Sequence, residues 1–592
     1  MLGKVPPHRS TQLFGAHARA YSSPLFHEPT SKVPERAPSS PSSLPAAPPQ
    51  ATESASKQSG GDHGGSTYRA RGSSLYARAA MKLTIISKLF ISLVVLGTAG
   101  FVLWHFYGGS PKPPDPAVAK TEDAGAASAS APPVKRDPKR IVVGVNDFGG
   151  AYPGVVANDG ALPGPRSKFT EAGLDVEFKL IRGSKERLQA FDDGEVDVML
   201  LTLDYFANLV PVYKDKGVDL KAFMMADWSR GNLGIVAKPS IKSIEGLKDA
   251  KIATTRNTPT HYFLLNLLKR SNLSAAEIEK VKSNLVFATK TPQAGEMFQR
   301  GEVDAVAIWE PHLSQSAAAG KGRVLVSTST ATNLIADVLF ARSDFLARRE
   351  ADIPKFVHAW FDGVKQIEKS SEASVKTVAA AFKQTDDETR GVLAKIKPTN
   401  FADNRVFFGM EREDAPFFTL FDDASRVWQT EGVIKAAAQA GPTRYLKALE
   451  GVSKEFAADQ VVENFAFTGG PKKDTAPLLT KSVSVYFPSS SDKLDPNAKK
   501  VVDAFTEVVA QFGNAYVRVE GNTDNVGPRD VNLGLSKRRA DALVDYIAGK
   551  HGFDRSRFVS VGNGPDKPIG DNTSNEGREQ NRRTDFQIIP NN

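Results

Sequence analysis

QAFDDGEVDVMLLTLDY at residues 189–205 and EMFQRGEVDAVAIWEPH at 296–312 are one pattern written twice. Each copy ends a helix on a glycine (Gly194, Gly301), passes through Glu-Val-Asp and enters an apolar run short enough for a buried strand. A polar or aromatic group then follows at matching offsets: Thr202 with Asp204 in the first copy, Trp309 with Glu310 in the second. Two lobes that each present side chains from strand C-termini would enclose a cleft, the place where open α/β sheets hold ligands. Gly-Glu-Val-Asp can also be nothing more than a convenient helix stop and strand start.

The texture around the repeat supports lobes. IVVGVNDF, VEFKLIRG, VDVMLLT, KIATTRN, NLVFATKT, VDAVAIWE and RVLVSTST are β-branched runs separated by helical stretches such as 185–191 and 259–271. This alternation predicts an α/β domain over residues 139–455, built mainly on parallel sheets. Helices over 353–370, 386–396 and 415–431 have the apolar spacing to pack onto the lobes, and His358 in FVHAWF reads as structural.

Candidate cleft residues sit where strands end. Thr258 before Pro259 looks like the cap and first residue of a helix opening directly after KIATT. Free amides there would suit an oxyanion, and Gly183-Ser184 offers a second cradle of the same kind; either could simply cap its helix. Asp147, Asp204 and Glu310 fall at strand ends near Phe148, Tyr205, Trp228 and Trp309, a combination suited to an ammonium group. Together these features point to a zwitterion such as an amino-sulfonate, or to an amine. Alternatively, some of the acids pair with Arg182 or Arg256 and meet no ligand.

With SIEGLK at 243–248, ATTRNTPTHYF at 253–263 and WEP at 309–311, the region resembles the periplasmic substrate-binding proteins of ABC importers, in particular the nitrate/sulfonate/taurine-like group. The resemblance implies two lobes closing about a hinge on a small polar solute, sulfonate-, taurine-, nitrate- or phosphate-like, with an ABC permease as a possible partner. The thiamin-pyrimidine synthases resemble the same fold but carry a Cys-rich iron motif. This chain has no Cys, so an enzyme of that kind, a disulfide and a thiolate metal site are all excluded. No cofactor, HExxH, GxSxG elbow or P-loop is expected.

After a linker at 456–479 the pattern changes. SVSVYF, a helix at 496–512, YVRVEGN, a helix reaching 550, RFVSVGNG, a short helix near 576–583 and DFQII predict a compact α+β domain over 480–592. GNTD at 521–524, Asn525, Gly527, Asn532, LSKRRA at 535–540, Pro568, Asn572, Thr573, Gly577, Arg578 and NRR at 581–583 resemble an OmpA-like peptidoglycan-binding domain. The resemblance implies that Asp524 and Arg539 hold the diaminopimelate of the stem peptide, with Asn532, Asn572 and Arg578 completing the site; Asn522 stands where that family commonly has His. Diaminopimelate offers a carboxylate beside an amine, so a carboxylate and a guanidinium fork are complementary to it. Arg539 lies four residues from Leu535 and from Leu543, on the semi-buried helix face. The other reading is an internal Asp524–Arg539 salt bridge.

At the other end, LFISLVVLGTAGFVLWHFY (89–107) is free of acids and bases and, extended over 83–109, approaches the roughly 20 residues that cross a bilayer. Arg69, Arg71, Arg78, Lys82 and Lys88 precede it, which places the N-terminus in the cytoplasm of a Gram-negative cell and the bulk of the chain in the periplasm, anchored once in the inner membrane. A cleaved signal peptide is the alternative; the bulky WHFY end without a small-x-small site argues for an anchor. The helix carries no carboxylate, unlike flagellar stators. Residues 1–80 are Pro- and Ser-rich and expected to be disordered, Met81 is a candidate start, and 110–138 reads as a tether. The 592 residues carry a net charge of +9, but the bases are scattered and no basic helix interleaved with aromatics stands out, so nucleic acid is not an expected partner.

Overall fold

IVVGV forms β1 (Ile141–Val145), buried along its whole length in the computed structural model, which describes residues 137–591 apart from 370, 413, 464, 472–474, 486 and 488–490. The expected membrane segment, disordered terminus and most of the tether lie outside the described residues. From β1 the chain passes through α1 (Tyr152–Ala157), β2 (Val176–Leu180), α2 (Ser184–Asp192), β3 (Val198–Thr202), α3 (Leu203–Asp215) and β4 (Leu220–Ser229). It crosses to a second sheet with β5 (Leu233–Ala237), β6 (Ile252–Thr255), α4 (Pro259–Arg270), β7 (Leu285–Ala288), α5 (Thr291–Arg300), β8 (Ala305–Trp309) and β9 (Arg323–Ser327). It then returns to the first with β10 (Ala336–Arg342), α6 (Ile353–Lys369), β11 (Ile396–Pro398) and α7 (Pro416–Thr430).

The strand orders are β11-β4-β10-β3-β1-β2 and β7-β6-β8-β5-β9. The repeat falls at equivalent places in the two: Gly194 and Gly301, at φ 73° and 82°, turn the chain out of α2 and α5, and β3 and β8 follow, one per sheet. The expectation of mainly parallel sheets holds only for β2-β1-β3 and β7-β6-β8, because β10, β4 and β11 and, in the other lobe, β5 and β9 add by antiparallel pairing. β5 and β10 are fed by the lobe-to-lobe crossings and need no helical crossover, so nothing forces them parallel, and β4 and β9 then pair antiparallel with them as their neighbours. β4, β5 and β10 were also invisible as strands: LKAFMMADWS is buried almost throughout yet has no β-branched residue and no alternation.

Two segments join the lobes, 230–232 and 328–335, and they are bonded to each other. Thr328 Oγ1 lies 2.8 Å from Ser229 Oγ and accepts from Gly231 N at 2.8 Å. Below the first sheet α1 crosses α6 with glycine at the contact, and Trp360, Phe178 and Tyr152 fill the core around it.

The C-terminal module pairs β12 (Leu479–Val483) and β13 (Ala515–Asn522) antiparallel to β15 (Thr584–Pro590), and β14 (Phe558–Gly564) parallel to β13. α8 (Pro496–Gln511), α9 (Arg529–His551) and α10 (Asn575–Asn581) complete it. Its first strand lies upstream of the expected SVSVYF because pairing Leu479 with Ile588 and Val483 with Thr584 matches β15. The module docks on the second lobe and the crossing: Ile244 N donates to Leu478 O at 2.9 Å, Asn333 N to Gln511 O at 3.0 Å, and Asn514 Nδ2 to Ser329 O at 3.1 Å. The segment read as a linker is held too, since Glu463 accepts from Arg230 Nη2 at 2.9 Å and Phe467 meets Tyr516 edge-on at 5.3 Å.

Candidate functional site

Antiparallel register brings Asp337, near the start of β10, beside Thr202 of β3 on one side and Asp227 of β4 on the other. The chain leaves β4 for the second lobe two residues after Asp227 and re-enters at Ala336 just before Asp337, so this acid pair lies at the lobe-facing edge of the first sheet. Gly150, in the turn after β1, lies against both: a Cβ there would come 2.6 Å from Asp227 Oδ2 and 3.3 Å from Asp337 Oδ2. Asp204 follows at the start of α3, 3% exposed. Neither carboxylate oxygen of Asp227 or of Asp204 has a well-formed hydrogen bond. The Thr202 hydroxyl and the amides of residues 204 and 205 only ease the charge on Asp204.

Burial pushes Asp204 up to about 7, with the Asp337 charge adding to it. Burial takes Asp337 to about 7, opposed by Arg187, and lifts Asp227 well above the carboxylate range, with Asp337 next in effect. Acids raised in the folded state favour folding at low pH; that contribution is present below the ordinary value of 3.8 and lost as pH rises through about 7. Asp337→Asn is therefore expected to gain stability over wild type between pH 4.5 and 8, read as urea midpoints. A difference independent of pH would contradict the assignment.

The other expected cleft residues divide. Asp147 accepts from Arg182 at 2.7 Å, as the pairing alternative had it; Glu310 is paired too, but with Lys395 and Ser314 Oγ, while Arg256 lies over the Phe287 ring at 3.7 Å. Phe148 and Trp309 are half-buried at strand ends, and Ser184 is exposed at the start of α2. At the Gly183-Ser184 cradle the Glu186 carboxylate, from the first turn of α2, lies against Gly183 and brings negative charge to the place where an oxyanion would sit. Thr258 has the position of a cap but not the bond: its hydroxyl donates to Thr255 O at 2.6 Å. Trp228 leaves the cleft set. Successive side chains of a strand face opposite ways, and Trp228 meets Phe407 edge-on at 5.5 Å while its neighbour Asp227 takes the cleft edge. The missed signal was an acid inside the apolar run AFMMADWS.

α7 touches both lobes. Trp428 Nε1 donates to Asp204 O at 2.8 Å, and Asp423 accepts from Asn266, Lys269 and Arg270 of α4. A groove of about 840 Å3 opens away from the acid edge, between Trp228, Phe407 and Arg412 and, on the C-terminal module, Asp503, Glu507 and His551. Several of its charges are satisfied internally, Asp503 by Lys550 at 2.7 Å and Asp403 by Lys397 at 2.8 Å, so it offers a ligand little.

In the C-terminal module Asp524 Oδ1 accepts from Val526 N at 3.0 Å and Oδ2 pairs with Arg582 at 2.6 Å. Asn532 closes the same loop by donating to Val526 O at 3.0 Å. Arg539 comes from α9, donates to Ser491 O at 2.9 Å and lies over the Phe487 ring at 4.8 Å. Burial holds its guanidinium below the usual range, and Asp524 is near enough to oppose that shift. The two are thus neighbours, with Arg582 rather than Arg539 as the ion-pair partner of Asp524; Arg582 was in the quoted motif but not among the expected site residues. Arg578 and Asn572 support one another, Nη1 donating to Asn572 O at 2.7 Å. Asn522 is buried between Asp585 and Asn563, at 3.0 Å from each.

Residues 486–582 match the OmpA family and residues 135–382 the NMT1-like family. The C-terminal part is 34% identical over 105 residues to outer membrane protein Omp38 of Acinetobacter baumannii, which is 18% of this chain and 30% of that protein. It is 34% identical over 113 residues to the probable lipoprotein YiaD of Escherichia coli, 19% of this chain and 51% of that protein. The chain therefore spans 30% and 51% of the length of these two relatives. Among solved structures, the periplasmic aliphatic sulphonate binding protein SsuA of Escherichia coli aligns with 52% of this chain and 97% of its own, at 17% identity and a TM-score of 0.41.

Proposed function

We propose that this chain, an NMT1-like domain joined to an OmpA domain, is a solute-binding protein held at the cell wall. The observation that carries the reading is the pair of sheets joined by just two mutually bonded crossings, with partnerless acids on the edge between the lobes. Such an arrangement binds by parting and closing about the crossings. The C-terminal module would hold peptidoglycan through Asp524 and Arg539. The apolar run at 89–107 would anchor the chain in the inner membrane with its bulk in the periplasm, where an ABC permease is the natural recipient of the solute. No chemical step is assigned to it.

The second reading is a membrane-to-wall tether that uses the lobes as a spacer or sensor. It is favoured by the docking of Asn333, Ser329 and Arg230 onto the C-terminal module and its linker, which ties the crossings to the wall-binding part.

A thermal-shift panel on the full chain separates the two, using taurine, alkyl sulfonates, nitrate, phosphate and small amines. A ligand at a hundred times its Kd adds about 2.7 kcal/mol, which at about 2–4 °C per kcal/mol is easily read. A shift with any member supports solute capture. A folded, cooperatively melting chain silent across the panel supports the tether.

A further inference from the structure

We propose that the solute carries a cationic nitrogen, and that Asp227 and Asp337 receive it, with Asp204 completing the negative field. This rests on the solute-binding reading and narrows it to amines and amine-bearing zwitterions. A bare sulfonate, nitrate or phosphate would not meet the requirement.

The first ground is a buried carboxyl group whose ionised form nothing among the described residues satisfies. Asp227 is 0% exposed and both its oxygens lack a partner. Its ionised form is too costly to hold there without a counter-charge, which is why burial lifts the group above the carboxylate range, and a bound cation would supply that charge. Two guanidinium groups are close enough to lower the acids' charge cost, but neither is hydrogen-bonded to them, and Arg187 Nε and Arg230 Nη1 are themselves buried without a partner. Arg187, 1% exposed, donates to Ile181 O, and Arg230 is turned to Glu463. Tyr205 is near Asp204 but brings no positive charge, and the Thr202 hydroxyl eases the Asp204 charge without a well-formed hydrogen bond.

Position is the second ground. Asp227 and Asp337 flank the two segments along which the lobes must part, so opening exposes these groups and closing buries whatever they hold. Gly150 lets the backbone lie directly on them, where a Cβ would meet Asp227 Oδ2. The third ground is the kind of cation. Among the described residues no three acids or histidines converge closely enough to hold a metal ion. An ammonium instead uses directed hydrogen bonds and can take them from carboxylates on neighbouring strands. At the α2 cradle that would have favoured an oxyanion, the Glu186 carboxylate stands close by and adds negative charge.

The test is a thermal-shift series on the full chain using amines beside neutral isosteres: taurine with isethionate, ethanolamine with ethylene glycol, putrescine with butanediol, and choline with its uncharged carbon analogue. Potassium chloride is run separately. Asp227→Asn and Asp337→Asn, which keep shape and remove charge, are run beside wild type. The expected result is a shift with at least one amine, absent with its isostere and reduced at least tenfold in apparent affinity in both variants, while both variants melt at or above wild type without ligand. Equal shifts from an isostere, a bare sulfonate or potassium chloride, or a response retained in both variants, would overturn the proposal and leave solute capture standing. Variants that are merely more stable, in a chain that sulfonates but no amine stabilise, would show a carboxyl pair that only shares a proton. Silence toward every compound would remove the solute-binding reading itself.

Discussion

Asp524→Ala and Arg539→Ala are each expected to abolish co-sedimentation of the full chain with purified sacculi. Asp524 is held ready by the Val526 amide and by Arg582, in a loop that Asn532 fastens from beneath. Arg539 is fixed from the neighbouring helix by Ser491 O and the Phe487 ring. Neither residue is needed for the core, and each offers the charge that one end of a diaminopimelate zwitterion requires. Losing a charge-assisted hydrogen bond costs about 1.5–3 kcal/mol, and about 1.4 kcal/mol is a factor of ten, so each variant should lose at least tenfold in affinity. Asp524→Ala also releases Arg582, so Asp524→Asn and Arg582→Ala separate loss of the ligand contact from loosening of the loop. Undiminished binding by both alanine variants would move the wall site elsewhere.

The second large effect is predicted at Gly363, where α6 crosses α1. A Cβ there would stand 2.0 Å from Pro153 O and 3.0 Å from the Ala157 Cβ. The first of these is backbone within a helix and cannot swing aside as a side chain would. Gly154 faces the same crossing, with Trp360 Cζ3 only 2.4 Å from its would-be Cβ, so the two helices have no slack in either direction. Gly363→Ala should therefore cost about 3 kcal/mol or more, toward the upper end for overpacking, and lower Tm by several degrees in a unit of this size. Gly391→Ala is the matched control. It is helical, has nothing within 4 Å and lacks a positive φ, so the added methyl should stabilise by about 0.5–1 kcal/mol. Similar melting of the two variants would refute the close crossing.

Both predictions concern regions that differ in how far the residues announced them. The C-terminal module was legible nearly element by element because its helices are long and periodic and its motifs are local; only its first strand moved, drawn upstream by pairing with β15. In the lobed region the repeated Gly-Glu-Val-Asp marked the right places, since a left-handed glycine closing a helix is a local requirement that any context shares. β4 and β10 escaped notice because a strand buried on both faces needs no alternation and here uses Met, Ala and Phe.

The candidate cleft shows the same division more sharply. Local sequence determined that Asp147, Asp204 and Glu310 stand at the ends of strands, and it determined the helices that carry Arg539 and Arg578. Tertiary structure decided which acids are free. Glu310 finds Lys395 across 85 residues and Asp147 finds Arg182 across 35, whereas Asp227 is set beside Asp337 by strand register alone. A residue's secondary structure follows largely from its neighbours in the chain, but its charge partner depends on which distant strand lies alongside it and in what register, and a slip of one residue would have turned Trp228 rather than Asp227 toward the lobes.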